Sequence, residues 1–216
     1  MMCLSATVNE VSLLRRLVQL YAGLCLYGIS IAMYIRASLG ADPWDVFHIG
    51  VANHMALSVG AVLIVTGALV LLLWIPMRQK PGLGTVSNVI VLGLAADATL
   101  AVLPQASALI FQALLLLAAV VLNALATAMY IGAGFGPGPR DGLMTGLHAR
   151  TGWSIRLIRT AIEVAVLAVG FLLGGPVGIG TLIYALAIGP LIQFFLPWFT
   201  AGRAANGRAE RAKAAG

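Results

Sequence analysis

The sequence predicts an all-α fold: a polytopic transmembrane helical bundle of six spans and two short helices, built as an inverted-topology internal repeat. Three observations carry this expectation. Of 216 residues, 61% are hydrophobic and only 9% are charged, far from the balance of a soluble domain. Six apolar stretches are long enough, at about 1.5 Å rise per residue, to cross a hydrocarbon core of about 30 Å. The chain also matches itself, without a gap, at an offset of 96 residues.

The elements follow in order. Residues 1-16 form an N-terminal tail ending in Arg15 and Arg16; no small-residue cleavage site follows, so the first span is expected to be retained. The first repeat, 17-103, has a span at 17-35, a short segment "PWDVFHIGVANHM" opened by "GADPWD", and spans at 58-76 and 84-103. The second repeat, 107-199, follows the same plan: a span at 107-131, the short segment "PRDGLMTGLHART" opened by "GPGPRD", and spans at 154-173 and 180-199. A basic tail, 200-216, closes the chain and is expected to rest on anionic headgroups.

The repeat is dense where the backbone must turn. "AMYI" occurs at 32-35 and again at 128-131, and Gly40, Pro43 and Asp45 recur as Gly136, Pro139 and Asp141. Downstream, Ser58 falls on Ser154, Gly82 on Gly178 and Gly84 on Gly180. The Gly/Pro/Asp strings start helices: Asp42 or Gly138 serves as N-cap, proline takes the first helical position, and an aspartate sits in the positive first turn. Gly40 and Gly136 let the chain reverse before them.

Length and charge decide what the short helices do. About 13 residues of helix reach only about 20 Å, and Asp45, His48, His54, Arg140 and Arg150 are costly in lipid, so both segments are expected to be re-entrant or interfacial. Each half then crosses three times and the halves are inverted. With the N-terminus inside, this arrangement places Arg15, Arg16, Arg78, Lys80, Arg140, Arg150, Arg156, Arg159 and the tail cations on the cytoplasmic side and leaves Arg36 outside. Four crossings per half would break that bias.

The strings "GADPWDVFHIGVA", "GFGPGPRDGLMTGL", "RTGWSIRLIRTAIEV" and "GGPVGIGTLIYALAIGPLIQFF" resemble the YczE/YyaS/YitT group of bacterial membrane proteins, most closely its YczE-like branch. The resemblance covers residues from about 30 to 196. It implies a multi-pass protein of the bacterial cytoplasmic membrane and brings no substrate, reaction or catalytic residue with it.

Candidate functional residues are the polar groups that such a membrane makes expensive. Glu163 lies mid-span with Arg159 one turn before it, spaced for a local ion pair or, with the carboxylate free, for a proton or cation site. Asp97 and Gln193 are repeat-equivalent and place polar groups at one depth, and Asn88 and Asn123 add amides that either fix helix packing or line a path. With Asp42, Asp45, Arg140 and Asp141 on the short segments, Asp97, Glu163 and Gln193 complete the expected substrate or ion path. Gly82, Gly84, Gly178 and Gly180, with Gly40, Pro43, Gly136 and Pro139, are candidate hinges or helix starts; glycines spaced four apart suit close packing equally.

Composition excludes other classes. The net charge of +6 has no soluble domain to present it to a nucleic-acid groove. Cys3 and Cys25 suit neither a disulfide nor paired metal ligands, and His48, His54 and His148 are too scattered for a metal site. No nucleophile-base arrangement or phosphate loop is evident, so neither catalysis nor a cofactor is expected. What remains is a small transporter or channel-like permease for an ion or small metabolite, or, alternatively, an accessory or scaffold protein supporting a biosynthetic or export system. Expected partners are membrane lipids and the small solute, with the protein a monomer or homodimer.

Overall fold

The computed structural model describes the backbone of residues 2–214 and the side chains of residues 13–200. Eight helices follow one another: α1 (Met2–Ala37), α2 (Pro43–His54), α3 (Val59–Met77), α4 (Leu83–Val102), α5 (Leu109–Ala133), α6 (Pro139–Thr151), α7 (Ile155–Leu172) and α8 (Ile179–Ala214). The starts of α2, α3 and α4 recur 96 residues later as the starts of α6, α7 and α8. Cys3 and the tail cations lie outside the described side chains.

Local chemistry sets these starts. Asp42 caps α2, accepting from the Asp45 amide at 2.7 Å, whereas Gly138 caps α6 without a side-chain bond. Ser58 and Ser154, a repeat-equivalent pair, cap α3 and α7 through the Ala61 and Leu157 amides at 3.1 and 3.2 Å. Each cap satisfies an amide that the first helical turn leaves without a carbonyl.

Five stretches are long and apolar enough to cross a membrane: Leu13–Ala37, Val59–Met77, Leu83–Val102, Leu109–Ala133 and Ile179–Thr200. The sequence expectation was six. Helix α7 is 18 residues long but carries Arg156, Arg159 and Glu163, and these charges keep it out of that set.

Helix pairing follows the duplication. The central contact is α1 against α5, flanked by the equivalent pairs α1–α4 and α5–α8 and by the exchanged pairs α2–α7 and α3–α6. Two core clusters obey the same relation: Leu20, Leu24, Tyr34, Ala37 and Leu92 correspond to Leu116, Val120, Tyr130, Ala133 and Ile188, and all ten are buried. The exchanged contacts swap knob and hole. Trp74 of α3 lies where a Cβ on Gly142 would sit, while its counterpart Gly170 admits the backbone of Val46 and Phe47.

One pair breaks the pattern. Helices α3 and α4 close tightly, with a Cβ on Gly93 meeting the Gly60 carbonyl at 2.4 Å, yet among the described residues α7 and α8 barely touch and a Cβ on Gly189, the counterpart of Gly93, would meet nothing within 4 Å. Arg156 occupies the position equivalent to Gly60. The bundle is closed on one flank and loose on the other.

Candidate functional site

The site is built by two glycine turns. Gly40 and Gly136 adopt φ of 105° and 118°, where a side chain is strained, and turn the chain from α1 into α2 and from α5 into α6. Each turn is held by the last helix of the other half: Gly180 donates its amide to the Leu39 carbonyl at 2.8 Å, and Gly84 donates to Phe135 at 2.9 Å. Thr85 Oγ1 adds a bond to the Pro137 carbonyl at 2.7 Å. The glycines expected as hinges are therefore tightly packed joints; a Cβ on Gly82 or Gly178 would lie 2.2 or 2.4 Å from the Phe135 or Leu39 carbonyl.

These joints bring the N-terminal ends of α2 and α6 together at the centre. Arg140 Nη1 lies 3.5 Å from Asp42 Oδ2, and Nη2 lies 4.0 Å from Asp45 Oδ1. The guanidinium also stacks over the Trp44 ring, 4.7 Å from its centroid. Trp44 and Arg140 are repeat-equivalent, so the halves meet through one shared position that carries two different side chains.

Burial dominates the electrostatics of α2. It pushes the Asp45 carboxyl up to about 6, against the pull of Arg140. It raises Asp42 too, helped by Asp45 and opposed by Arg140. His48 is driven down to about 3 by burial and by Arg140, so its Nδ1, 3.5 Å from Asp45 Oδ1, belongs to a neutral imidazole and the contact is not an ion pair.

A second carboxylate behaves differently. Asp141, the counterpart of Asp45, accepts from the Tyr130 hydroxyl at 3.0 Å. The equivalent bond in the other half is not formed: the Tyr34 hydroxyl and Asp45 Oδ2 are both buried without a partner among the described residues.

Above the two helix ends lies a cavity of about 230 Å³. Of the residues expected on a path, Asp42, Arg140, Asp141 and Glu163 line it, while Asp45 is not on its wall and lies 4.0 Å from the Arg140 guanidinium. Glu163 accepts from Arg159 Nε at 2.9 Å, so the local pair is formed, and both residues face the cavity on the loose α7 flank. Asp97 and Gln193 are not on its wall. Asp97 holds the start of α3 through Ser58 Oγ and the Gly60 amide, and Gln193 is exposed. Asn88 lines the cavity, whereas Asn123 donates to Ser30 Oγ at 2.9 Å between α5 and α1.

Sequence reasoning missed the aromatic lining: Tyr27, Trp44, Tyr130 and Tyr184 all contribute. The repeat held a signal for three of them, since Trp44 aligns with Arg140, Tyr27 with Asn123 and Tyr184 with Asn88. Of the histidines, His54 contacts the Gly50 carbonyl and His148 the Trp153 carbonyl. Among the described residues, no group of three or more His, Cys, Asp or Glu side chains is placed to share a metal ion.

A chain whose described residues are all-helical, with five apolar crossing-length helices and a cavity lined by charged residues from both halves, is a multi-pass membrane protein. It belongs to the family described as a family of unknown function (DUF6198), which matches residues 14–197. It is similar to an uncharacterized protein of Haemophilus influenzae, with 37% identity over 80% of this chain and 79% of that one. It is also similar to two proteins of Bacillus subtilis: the uncharacterized membrane protein YczE, at 32% identity over 82% and 83% of the two chains, and the uncharacterized protein YyaS, at 26% over 81% and 89%. No solved structure matches the chain significantly.

Proposed function

We propose that the protein is a small transporter or channel-like permease of the bacterial cytoplasmic membrane that passes an ion or small metabolite through the cavity between its halves. The observation that carries this reading is the cavity itself, with Asp42, Arg140 and Asp141 delivered to it by two helix ends that meet at the centre. Charged side chains at such a depth are expensive, and a wet, solute-sized space is the usual reason a membrane bundle keeps them.

In this reading α7 is the sixth crossing, its Arg159–Glu163 pair turned to the cavity instead of lipid. The halves are inverted, α2 and α6 are re-entrant, and both termini are cytoplasmic, which the asymmetry of Arg and Lys supports. A cysteine at Gln105 labels from outside and one at Gln79 does not; the reverse pattern overturns the topology.

Transport is tested in liposomes. Vesicles containing the protein pass ions, amines or small acids faster than protein-free vesicles, and Thr66→Phe, which fills the cavity from α3, slows that flux without lowering the melting temperature. If no solute passes faster, and a partner protein is retained stoichiometrically in mild detergent, the accessory reading replaces this one. No catalytic role is proposed for any residue.

A further inference from the structure

We infer that the cavity of the proposed permease takes a small organic ammonium cation. The inference takes that permease's cavity as its site and names its cargo.

Charge is the first argument. Three carboxylates, Asp42, Asp141 and Glu163, line the cavity with two guanidinium groups, Arg140 and Arg159. Glu163 and Arg159 neutralise each other at 2.9 Å. Arg140 is divided between Asp42 and Asp45, and Asp141 has the Tyr130 hydroxyl but no ion pair among the described residues. Asp141 is therefore the carboxylate on the cavity wall without a cation of its own, and a bound cation supplies one.

Ring faces are the second argument. The protein already holds one cation here by an aromatic face combined with carboxylates: Arg140 over Trp44, beside Asp42 and Asp45. Tyr27, Tyr130 and Tyr184 stand on the same cavity wall as Asp141, which brings aromatic rings and a carboxylate together there as well. Aromatic faces favour weakly hydrated organic ammonium groups, whereas metal ions require converging oxygen or nitrogen donors, and no such group is placed among the described residues.

The test is calorimetric titration of the full-length protein in detergent with choline, ethanolamine, the neutral choline isostere 3,3-dimethylbutan-1-ol, tetramethylammonium and inorganic phosphate. Choline or ethanolamine binds, and the neutral isostere binds at least about tenfold more weakly, the loss expected when a part-desolvated cation is removed. Asp141→Asn, which keeps an acceptor for Tyr130, weakens both cations about tenfold, the equivalent of about 1.4 kcal/mol. If Asp141→Asn unfolds, Tyr130→Phe, which keeps the Asp141 charge and removes its hydroxyl donor, is expected to tighten choline and ethanolamine, and weaker binding overturns the inference. Equal binding of the isostere, or binding of phosphate without the cations, overturns the inference. Absence of cation binding while vesicles still pass another solute overturns the cargo and leaves the permease; absence of both overturns both.

Discussion

Arg140 Nη1 stands 3.5 Å from Asp42 Oδ2, joining the second residue of one short helix to the cap of the other across the duplication. Asp42 is 2% exposed and Asp45 fully buried, so this guanidinium is what makes two carboxylates tolerable at the centre of the bundle. Arg140→Met should therefore lower stability by about 3 kcal/mol or more, because the stranded charges outweigh the apolar volume gained. Arg140→Lys should recover only part, lacking the planar fork and the stacking on Trp44. Thermal unfolding in one detergent checks both.

The loose and tight flanks respond in opposite ways to one methyl group. At Gly93 an alanine side chain runs into the Gly60 carbonyl and Ile64, and Gly93→Ala should cost at least about 1 kcal/mol through that overlap. Gly189→Ala meets nothing and should gain up to about 1 kcal/mol of helix propensity. The difference between their melting temperatures tests the asymmetry directly.

Asp97 is expected to act in folding alone. Asp97→Ala removes the acceptor of the Ser58 hydroxyl and the Gly60 amide and should destabilise by about 1 to 2 kcal/mol. Flux per folded molecule should stay unchanged, whereas a loss of flux at equal folded fraction would bring Asp97 into the path.

The helical class was legible because a membrane forces it to be written in composition and span length, and the helix starts that recur 96 residues apart because the same residue types open them. Ser58 and Ser154, and the prolines that open α2 and α6, carry local rules and could be read without tertiary knowledge. Asp97 could not be assigned: its depth suggests a path, and only the approach of α3 to α4 shows that its carboxylate ends a helix. Trp44 was missed for a related reason. An aromatic residue in an apolar chain reads as packing until the turn at Gly136 brings Arg140 onto its face.

Acidity offers a further check. The Asp45 carboxyl titrates near 3.8 in the unfolded chain and at about 6 when folded, so the folded state holds the proton more tightly. The stability this group supplies is complete below about pH 4 and is lost as pH rises through about 6, amounting to roughly 3 kcal/mol at most. Asp42 acts in the same direction. Asp45→Asn should flatten the dependence of melting temperature on pH between 4 and 6.

The bond from the Gly180 amide to the Leu39 carbonyl also has a meaning during synthesis. Leu39 leaves the ribosome 141 residues before its partner, a delay of roughly 7 to 28 s at the usual elongation rates. Through that interval the first turn of the nascent chain has no mate, and the reciprocal amide of Gly84 waits for Phe135. Neither half is finished by its own translation. Each is completed by a segment of the other, so the two halves made as separate polypeptides should persist only when both are made in the same cell.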